Sequence, residues 1–213
     1  MKNKNLLAIK ESLKIFDKEY KERVEKYKND QKDIRETYHQ TKAIPLLDEL
    51  KVNFENDIQE MKNKGKEYCD SKFTIIKDSV TKIITQKLSS DFAETLQLIK
   101  FLGNKITKTE VDAFIGKYKN NYLEIRSLII ALKENENVRN LDVISSDDIL
   151  ENTNEIQRKV NHFFDYPNSY EYIAMLIDDG TLEEYDKCIY PFMSKEFIYD
   201  INERVFENDV YNG

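Results

Sequence analysis

Residues Asn5–Lys42 read NLLAIKESLKIFDKEYKERVEKYKNDQKDIRETYHQTK and contain neither Gly nor Pro. Apolar or aromatic residues recur in this stretch every seven positions, at Leu6, Leu13, Tyr20, Tyr27 and Ile34. A repeat of seven is typical of a long helix that packs along another helix, and the shift of the stripe to Val24 and Tyr38 inserts one step of four. If continuous, the helix is about 55 Å long. We therefore expect part of the stripe to meet another long helix, from this chain or from a second copy.

The next segment supplies a partner for that helix. Because proline lacks a helical donor and pushes the preceding residue out of helical geometry, we predict a bend at Ile44, with Pro45 opening a second helix. Its apolar face comprises Leu47, Leu50, Phe54, Ile58 and Met61. Gly65 is expected to kink or weaken the helix before a third segment continues to Leu88. These faces predict an antiparallel, coiled-coil-like hairpin with the first helix.

The rest of the chain is predicted to form shorter helices. Asp91 marks a helix start, and Gly103 marks its end. Thr107 and Glu110 have the spacing of a capping box, which predicts a helix that continues unbroken to Leu132. Further helices are expected after Ser145 or Ser146, after Ser169 and after Thr181, with Pro191 ending the third, and a last one from Ser194 through Val205. The fold class is therefore all-α, with long N-terminal helices followed by a compact cluster of short ones.

We divide the chain into four predicted parts. They are a long-helix hairpin (1–88), a compact helical segment packed on it (89–134), a linker (135–146) and an acidic helical cluster (147–213). The linker coincides with a change in charge. Residues 1–134 carry 27 basic and 22 acidic side chains, whereas residues 135–213 carry 6 and 18. Opposite ends of neighbouring copies should therefore attract each other, and the acidic cluster is a candidate docking module for a basic surface.

The sequence carries no signature of a catalytic, cofactor or metal site. His39 and His162 lie in different predicted parts, and neither has a nucleophile and acid nearby in the sequence. Cys69 and Cys188 lack the paired spacing of a disulfide or zinc site and are expected to be buried, reduced thiols. The acidic residues of 178–186 do not have the spacing of a calcium loop, and caps and solvated charge explain them better. We expect a protein that is not an enzyme, with no catalytic, cofactor-binding or metal-binding residues.

A nucleic-acid-binding function is the alternative. Between Leu96 and Lys119 a helix, a short turn and a second helix resemble a helix-turn-helix. The second helix offers Lys108, Lys117 and Lys119. Glu110 and Asp112 on its first turns, however, would face phosphate. A capped corner of a helical core is the simpler interpretation, so nucleic acid is an unlikely partner without being excluded.

One segment resembles a known group of proteins. The residues GNKITKTEV from Gly103 and GKYKNNYLEIRSL from Gly116 are similar to uncharacterised proteins of tailed bacteriophages that infect low-GC bacteria. The resemblance covers residues 1–134 and implies a phage accessory or head-assembly protein. It carries no catalytic residues.

The leading hypothesis is a non-enzymatic interaction or assembly protein that associates with itself or with another protein. Its contact residues are expected on the first helix and in the acidic cluster, at Leu13, Tyr20, Tyr27, Tyr38, Tyr170 and Tyr185. Packing within one chain is the alternative role for these tyrosines. No apolar run is long enough to cross a membrane, and we expect a cytoplasmic location, or the host cytoplasm or virion for a phage protein.

Overall fold

A computed structural model of the chain describes residues 1–169, 174–178 and 180–201. The fold is all-α, as the sequence predicts. It forms two compact units. The first contains Met1–Ile75 and the described part of Thr153–Asp186, and the second contains Ile76–Asn152 and the described part of Lys187–Gly213. Each unit combines segments that are distant in the sequence. The linear domain boundaries stay a prediction.

Two long helices begin the chain. Helix α1 spans Lys4–Thr37 and helix α2 spans Gln40–Ile84. The Asn3 side chain caps α1 by accepting hydrogen bonds from the backbone N–H groups of Asn5 and Leu6. The chain turns at Tyr38, whose backbone is extended (φ −115°, ψ 141°). The break between the helices therefore lies several residues before the bend predicted at Ile44.

Helix α2 passes through both residues that were expected to interrupt it. Pro45 is the sixth residue of α2, so only one helical turn precedes it and only the bond to the Thr41 carbonyl is lost. Gly65 lies inside the same continuous helix. A methyl group added there would lie 2.3 Å from Cε1 of Phe164, so the glycine permits close packing of an aromatic ring. The prediction that a helix starts at Pro45 is therefore wrong, and Gly65 does not divide α2 into two helices.

Three shorter helices follow. Helix α3 spans Phe92–Leu102 and ends at Gly103, where a positive φ of 55° suits glycine. Helix α4 spans Lys108–Tyr118 and has the predicted capping box between Thr107 and Glu110. Helix α5 spans Tyr122–Ala131. The single helix predicted from Lys108 to Leu132 is thus two helices, because the Asn121 side chain accepts hydrogen bonds from the N–H groups of Leu123 and Glu124 and starts a new one.

The last described elements combine helices with two short strands. They are β1 (Leu141–Val143), α6 (Ser146–Asp165), a π-helical turn (Ala174–Asp178), α7 (Thr181–Met193) and β2 (Ile198–Asp200). The strands pair antiparallel, with Leu141 opposite Asp200 and Val143 opposite Ile198. The predicted linker therefore contains a strand, and a strand replaces the first part of the helix predicted from Ser194. The remainder of that helix, including Val205, lies outside the described residues.

Two details of α6 and α7 refine the predicted boundaries. The Ser145 hydroxyl accepts a hydrogen bond from the backbone N–H of Asp148 at 3.3 Å, so Ser145 rather than Ser146 caps α6. Pro191 lies inside α7, which ends two residues later at Met193. The prediction that Pro191 ends this helix is therefore wrong by two residues. Residues 170–173 and 179, in the region of the helix predicted after Ser169, are not described.

In the first unit, α1 and α2 run antiparallel. Three contacts join the two helices. The side chains of Ser12 and Cys69 form a hydrogen bond, and Arg23 Nη1 lies 3.5 Å from Asp57 Oδ2. The rings of Tyr27 and Phe54 stack with their centroids 4.3 Å apart. One end of this hairpin has a core that includes Leu6, Ile9, Leu13, Phe16, Cys69 and Phe73. Helix α6 closes that core, because Phe16 lies edge-on to Phe163 and Phe164 at centroid distances of 5.7 and 4.8 Å.

The core of the second unit is built around α5, which contacts α3, α4 and β1. Tyr122 lies at its centre, and its ring meets Phe192 and Phe197 edge-on at 5.0 and 5.3 Å. Its hydroxyl donates to the Ile144 carbonyl and accepts from the Ser146 N–H, both at 3.1 Å. Buried Asn135 donates to the Ile106 carbonyl at 3.0 Å. The polar groups buried here thus hold loops against the core.

Candidate functional site: the outer half of the helical hairpin

The outer half of the α1–α2 hairpin differs from the rest of the first unit in its burial. We call residues 21–57 the arm, and residues 4–20 with 58–75 the inner half. All of the arm is described, and Ala43 is the one buried residue in it. By contrast, α1 alone buries five residues within the inner half, Leu6, Ile9, Leu13, Phe16 and Tyr20. The arm is therefore a two-helix segment without a closed core.

Apolar side chains nevertheless continue along the arm. These side chains are half-buried: Val24, Tyr27 and Ile34 of α1 and Leu46, Leu47, Leu50 and Phe54 of α2. Near the tip, Tyr38 and Ile44 are 45% and 53% exposed. We call these half-buried apolar side chains the seam of the arm. Two helices can cover only one side of a seam, whereas the four helices of a bundle cover it fully. The arm thus retains apolar surface that a further pair of helices could bury.

A shallow groove of about 150 Å³ runs along the arm between α1 and α2. Tyr27, Leu50 and Phe54 contribute the apolar part of its lining. The Tyr27 ring is held in place, because it stacks on Phe54 and its hydroxyl accepts a hydrogen bond from Gln31 Nε2 at 2.7 Å. This arrangement presents an ordered aromatic surface at low entropic cost, as protein-contact surfaces commonly do.

The charged residues around the groove carry both signs. Arg23 and Lys26 supply two positive groups, and Asp30 and Asp57 supply two negative ones. The arm as a whole has eight basic and nine acidic side chains. Exposed pairs at i and i+4, such as Lys32–Glu36 and Lys51–Glu55, lie on its outer faces at 3.8 Å. Since the net charge is close to zero, two arms would not repel each other strongly.

The predicted contact residues occupy different environments. Leu13 is fully buried and Tyr20 is 8% exposed, so both belong to the core of the first unit. Tyr27 lines the groove and Tyr38 is exposed at the tip. Tyr185 is buried, and its hydroxyl shares a hydrogen bond with that of Thr153. Tyr170 lies outside the described residues. Of the described candidates, Tyr27 and Tyr38 are therefore the ones that a partner could reach.

Several acidic residues of the C-terminal part pair with the N-terminal helices of the same chain. Glu183 Oε1 lies 2.5 Å from Lys10 Nζ, and Asp165 Oδ1 lies 2.6 Å from Lys66 Nζ. Burial raises the pKa of the Glu183 carboxyl. The hydrogen bond and charge of Lys10, the hydrogen bond from the Glu183 backbone and the charge of the N-terminus together outweigh burial, so the pKa lies below its ordinary value. Asp186 accepts hydrogen bonds from the backbone N–H groups of Lys2 and Asn3. The expected attraction between acidic and basic ends is thus partly satisfied within one chain.

The helix-turn-helix candidate corresponds to α3, the turn 103–107 and α4. Glu110 is occupied by the capping box, and its pKa is lowered by the hydrogen bonds from Thr107. Lys117 forms an ion pair with Asp91 and lies over the ring of Tyr118 at 5.1 Å. One of the lysines proposed to contact phosphate is therefore already paired. The nucleic-acid hypothesis stays a prediction.

Other sequence candidates have ordinary environments. Cys69 is buried as expected, and its burial raises the pKa of the thiol to about 12. Cys188 is exposed, so the expectation that it is buried is wrong. His39 and His162 are both exposed. Among the described residues, no three His, Cys, Asp or Glu side chains are placed to hold a metal ion together.

Sequence reasoning identified the apolar part of the groove but not its charged rim. Leu50 and Phe54 follow from the periodicity of α2, and Tyr27 follows from the repeat in α1. Arg23 and Asp30 interrupt that repeat in the sequence, and both line the groove. A charged residue at a repeat position that is expected to be apolar could therefore have indicated the charged rim.

The chain matches no known protein-family model, no curated protein sequence and no solved structure. None of the described helices has a stretch long and apolar enough to span a membrane.

Proposed function

We propose that this protein is a non-enzymatic interaction protein whose arms pair with the arms of a second copy. The observation that supports this proposal is the burial contrast along the hairpin. The arm keeps an apolar seam over 37 residues and buries Ala43 alone. A seam that is neither replaced by polar residues nor covered within the described chain is typical of a protein contact surface.

A second copy is the partner that fits the charges of the groove. In a two-fold pairing the same surface lies on both sides of the interface. Arg23 and Asp57 already pair within the chain, and the other two rim residues, Lys26 and Asp30, can each face a group of opposite sign on the second copy, which favours one register of the contact. A partner of strongly acidic or basic character would meet like charges on this rim. Four helices would then surround the aromatic seam, as in a four-helix bundle.

The expected affinity is modest. The α1 part of the arm is about 25 Å long, so two arms side by side would bury roughly 1,000 Å² in total, at the lower end for specific interfaces. We therefore expect a reversible dimer rather than an obligate one. An accessory or assembly role, as the phage resemblance implies, would use such reversible contacts. That role stays a prediction.

The test compares association of the wild-type protein with that of arm variants. Ile44→Asp and Lys26→Glu alter an exposed apolar residue and a rim charge, and neither side chain belongs to the core. Each should weaken dimerisation about tenfold or more, because a charge placed in a contact or reversed on its rim removes favourable pairing. Sedimentation velocity over a concentration series gives the dissociation constants.

Two matched controls lie on the inner half of α1. Ile15→Asp places the same charge at a residue that is 58% exposed, and Lys14→Glu reverses an exposed lysine. Both should dimerise like the wild type. A wild-type protein that stays monomeric up to about 1 mM would overturn the proposal, since interfaces of this size reach at least weak affinity. Equal loss of association in the arm and control variants would place the interface elsewhere.

A further inference from the structure

The second unit contains a cavity of about 620 Å³ that the proposed interaction function does not use. Five elements line it: α5, β1, the first turns of α6, the middle of α7, and β2. Its volume is within the range of about 300–1,000 Å³ that is typical of small-molecule sites. Every lining residue belongs to the second unit, so the cavity is a feature of that unit alone.

Three cationic side chains converge on this cavity from different elements. Arg126 lies on α5, Lys133 follows that helix, and Lys187 lies on α7. None of the three forms an ion pair or hydrogen bond with any other part of the chain that the structure describes. Three cations without such a partner therefore line one cavity.

Two carboxylates also line the cavity, and the backbone near each of them stabilises its negative charge. Asp142 Oδ1 accepts a hydrogen bond from the Val143 N–H at 2.8 Å. Asp148 lies in the first turn of α6, where the helix dipole stabilises negative charge. With three cations and two carboxylates, the lining has an excess positive charge. The groups left without a partner are the cations, and these attract an anion.

The cavity is not purely polar. Ile129, Ile144 and Ile149 are buried and contribute apolar lining, and Val143 is half-buried beside them. A ligand that fills this volume would therefore place an apolar body against the isoleucines and an anionic group against the cations. A phosphate monoester fits better than a monoanion, because it carries about −1.5 to −2 charges at pH 7 and three acceptor oxygens. The guanidinium of Arg126 suits bidentate recognition of such a group.

We propose that this cavity is a binding site for a small phosphate monoester with an apolar or aromatic body. Arg126 and Lys187 hold the phosphate from opposite elements, and the isoleucines contact the body. The site requires no residue of the arm. Its failure and the failure of the proposed dimerisation can therefore be told apart by experiment.

Binding of 1-naphthyl phosphate to the full chain, followed by fluorescence titration, tests the charge requirement. The neutral analogue 1-naphthol has the same apolar body without the phosphate. We expect 1-naphthyl phosphate to bind at least tenfold more tightly, since only its phosphate can accept charge-assisted hydrogen bonds from Arg126 and Lys187. Inorganic phosphate should compete at higher concentration. Absence of 1-naphthyl phosphate binding at millimolar concentration, or equal affinity for the two compounds, would overturn the proposal.

Variants test the assigned residues. Arg126→Gln and Lys187→Gln change exposed side chains, and each should weaken binding of 1-naphthyl phosphate about tenfold. Lys119→Gln is the matched control, because Lys119 is an exposed lysine of the same unit outside the cavity lining. Thermal unfolding of each variant checks that the second unit is intact. Unchanged affinity in both cavity variants, or an equal loss in the control, would contradict the assignment.

Cys188 provides an independent footprint of the site. It lines the cavity and is exposed, whereas Cys69 is fully buried, and the chain has two cysteines in all. A thiol reagent such as 5,5′-dithiobis(2-nitrobenzoate) should therefore modify Cys188 in the folded protein. Saturating 1-naphthyl phosphate should slow this reaction at least severalfold, and 1-naphthol at the same concentration should not. An unchanged rate with bound 1-naphthyl phosphate would place the ligand elsewhere.

Discussion

The inner half of the hairpin and the arm belong to the same two helices, yet one is a core and the other is a surface. The repeat of seven runs through both, from Leu6 to Ile34. In the inner half, Phe16 meets Phe163 and Phe164 of α6. In the arm, Tyr27 meets Phe54 of α2, and the other side of the seam stays accessible. The comparison shows that a helical repeat specifies a face for packing without specifying how many elements cover it.

The largest difference in stability between the inner half and the arm is expected for matched isoleucine substitutions on α1. Ile9 is fully buried in the inner half, whereas Ile34 is half-buried in the arm. Ile9→Ala should lower the free energy of unfolding by about 2–5 kcal/mol, because it removes buried methyl groups and leaves a cavity. Ile34→Ala should cost about 1 kcal/mol or less, since its side chain is only partly removed from water. Urea unfolding followed by circular dichroism measures both, and equal losses would mean that the arm is as well packed as the inner half.

Two glycines inside helices provide a second contrast. Substitution by alanine is expected to lower stability at one of them and to raise it at the other. At Gly65, in the inner half, a new methyl group would meet the Phe164 ring at 2.3 Å. Gly65→Ala should therefore destabilise by about 1–2 kcal/mol, because overpacking exceeds the gain of about 1 kcal/mol in helix propensity. Gly116, in α4, has no atom within 4 Å of an added methyl group, so Gly116→Ala should stabilise by about 0.5–1 kcal/mol.

Thermal unfolding of both glycine variants gives the comparison. Combining Gly65→Ala with Phe164→Leu should recover part of the loss that overpacking causes, because the smaller side chain removes the clash. If Gly65→Ala proves stabilising by itself, the close contact between α2 and α6 that distinguishes the inner half from the arm would be contradicted.

The smallest expected effect concerns pH and the buried thiol of the inner half. Burial raises the pKa of Cys69 to about 12, although a hydrogen bond from Ser12 acts in the opposite direction. In the unfolded chain the thiol titrates near about 8.5, so above that pH the unfolded state binds fewer protons than the folded state. Stability therefore falls as pH rises from about 8.5 towards 12. Ionisation of this thiol in the unfolded chain lowers the free energy of unfolding by about 1 kcal/mol at pH 9.5.

Cys69→Ala should remove that part of the alkaline loss, and Cys188→Ala should not, because Cys188 is exposed. Urea unfolding at pH 7.5 and 9.5 measures the difference between the variants, in which the contributions of the tyrosines cancel. An identical pH dependence in wild type and Cys69→Ala would show that the inner half admits water to this thiol.

Much of the helical structure could be predicted from local signals. The cap at Thr107, the stop at Gly103 and the stripe of α1 each depend on neighbouring residues, and each has the predicted form. The break at Asn121 was missed, because its side-chain cap starts a new helix within a continuous apolar stripe. The continuity of α2 through Pro45 was also missed, because the long helix tolerates a proline after its first turn. Strands β1 and β2 were also missed, since three-residue strands depend on a partner almost sixty residues away.

The candidate site was predictable in part. The aromatic positions Tyr27 and Tyr38 follow from the repeat, but Leu13 and Tyr20 have the same periodicity and are buried. What separates them is the position of α6, whose Phe163 and Phe164 lie nearly 150 residues from Phe16 in the sequence. The cavity of the second unit had no sequence signal, because Arg126 and Lys187 are distant in the sequence and line the same cavity only in the folded unit.

The sequence alone determined the helical class, several helix termini and the apolar stripes of the two long helices, because these depend on capping and on side chains three to seven residues apart. The tertiary structure decided which part of those faces is a core, which acidic residues are paired within the chain, and where unpaired cations surround a cavity. These features depend on contacts between distant segments. Burial is a property of what lies opposite a residue, and the periodicity of its own helix cannot supply that information.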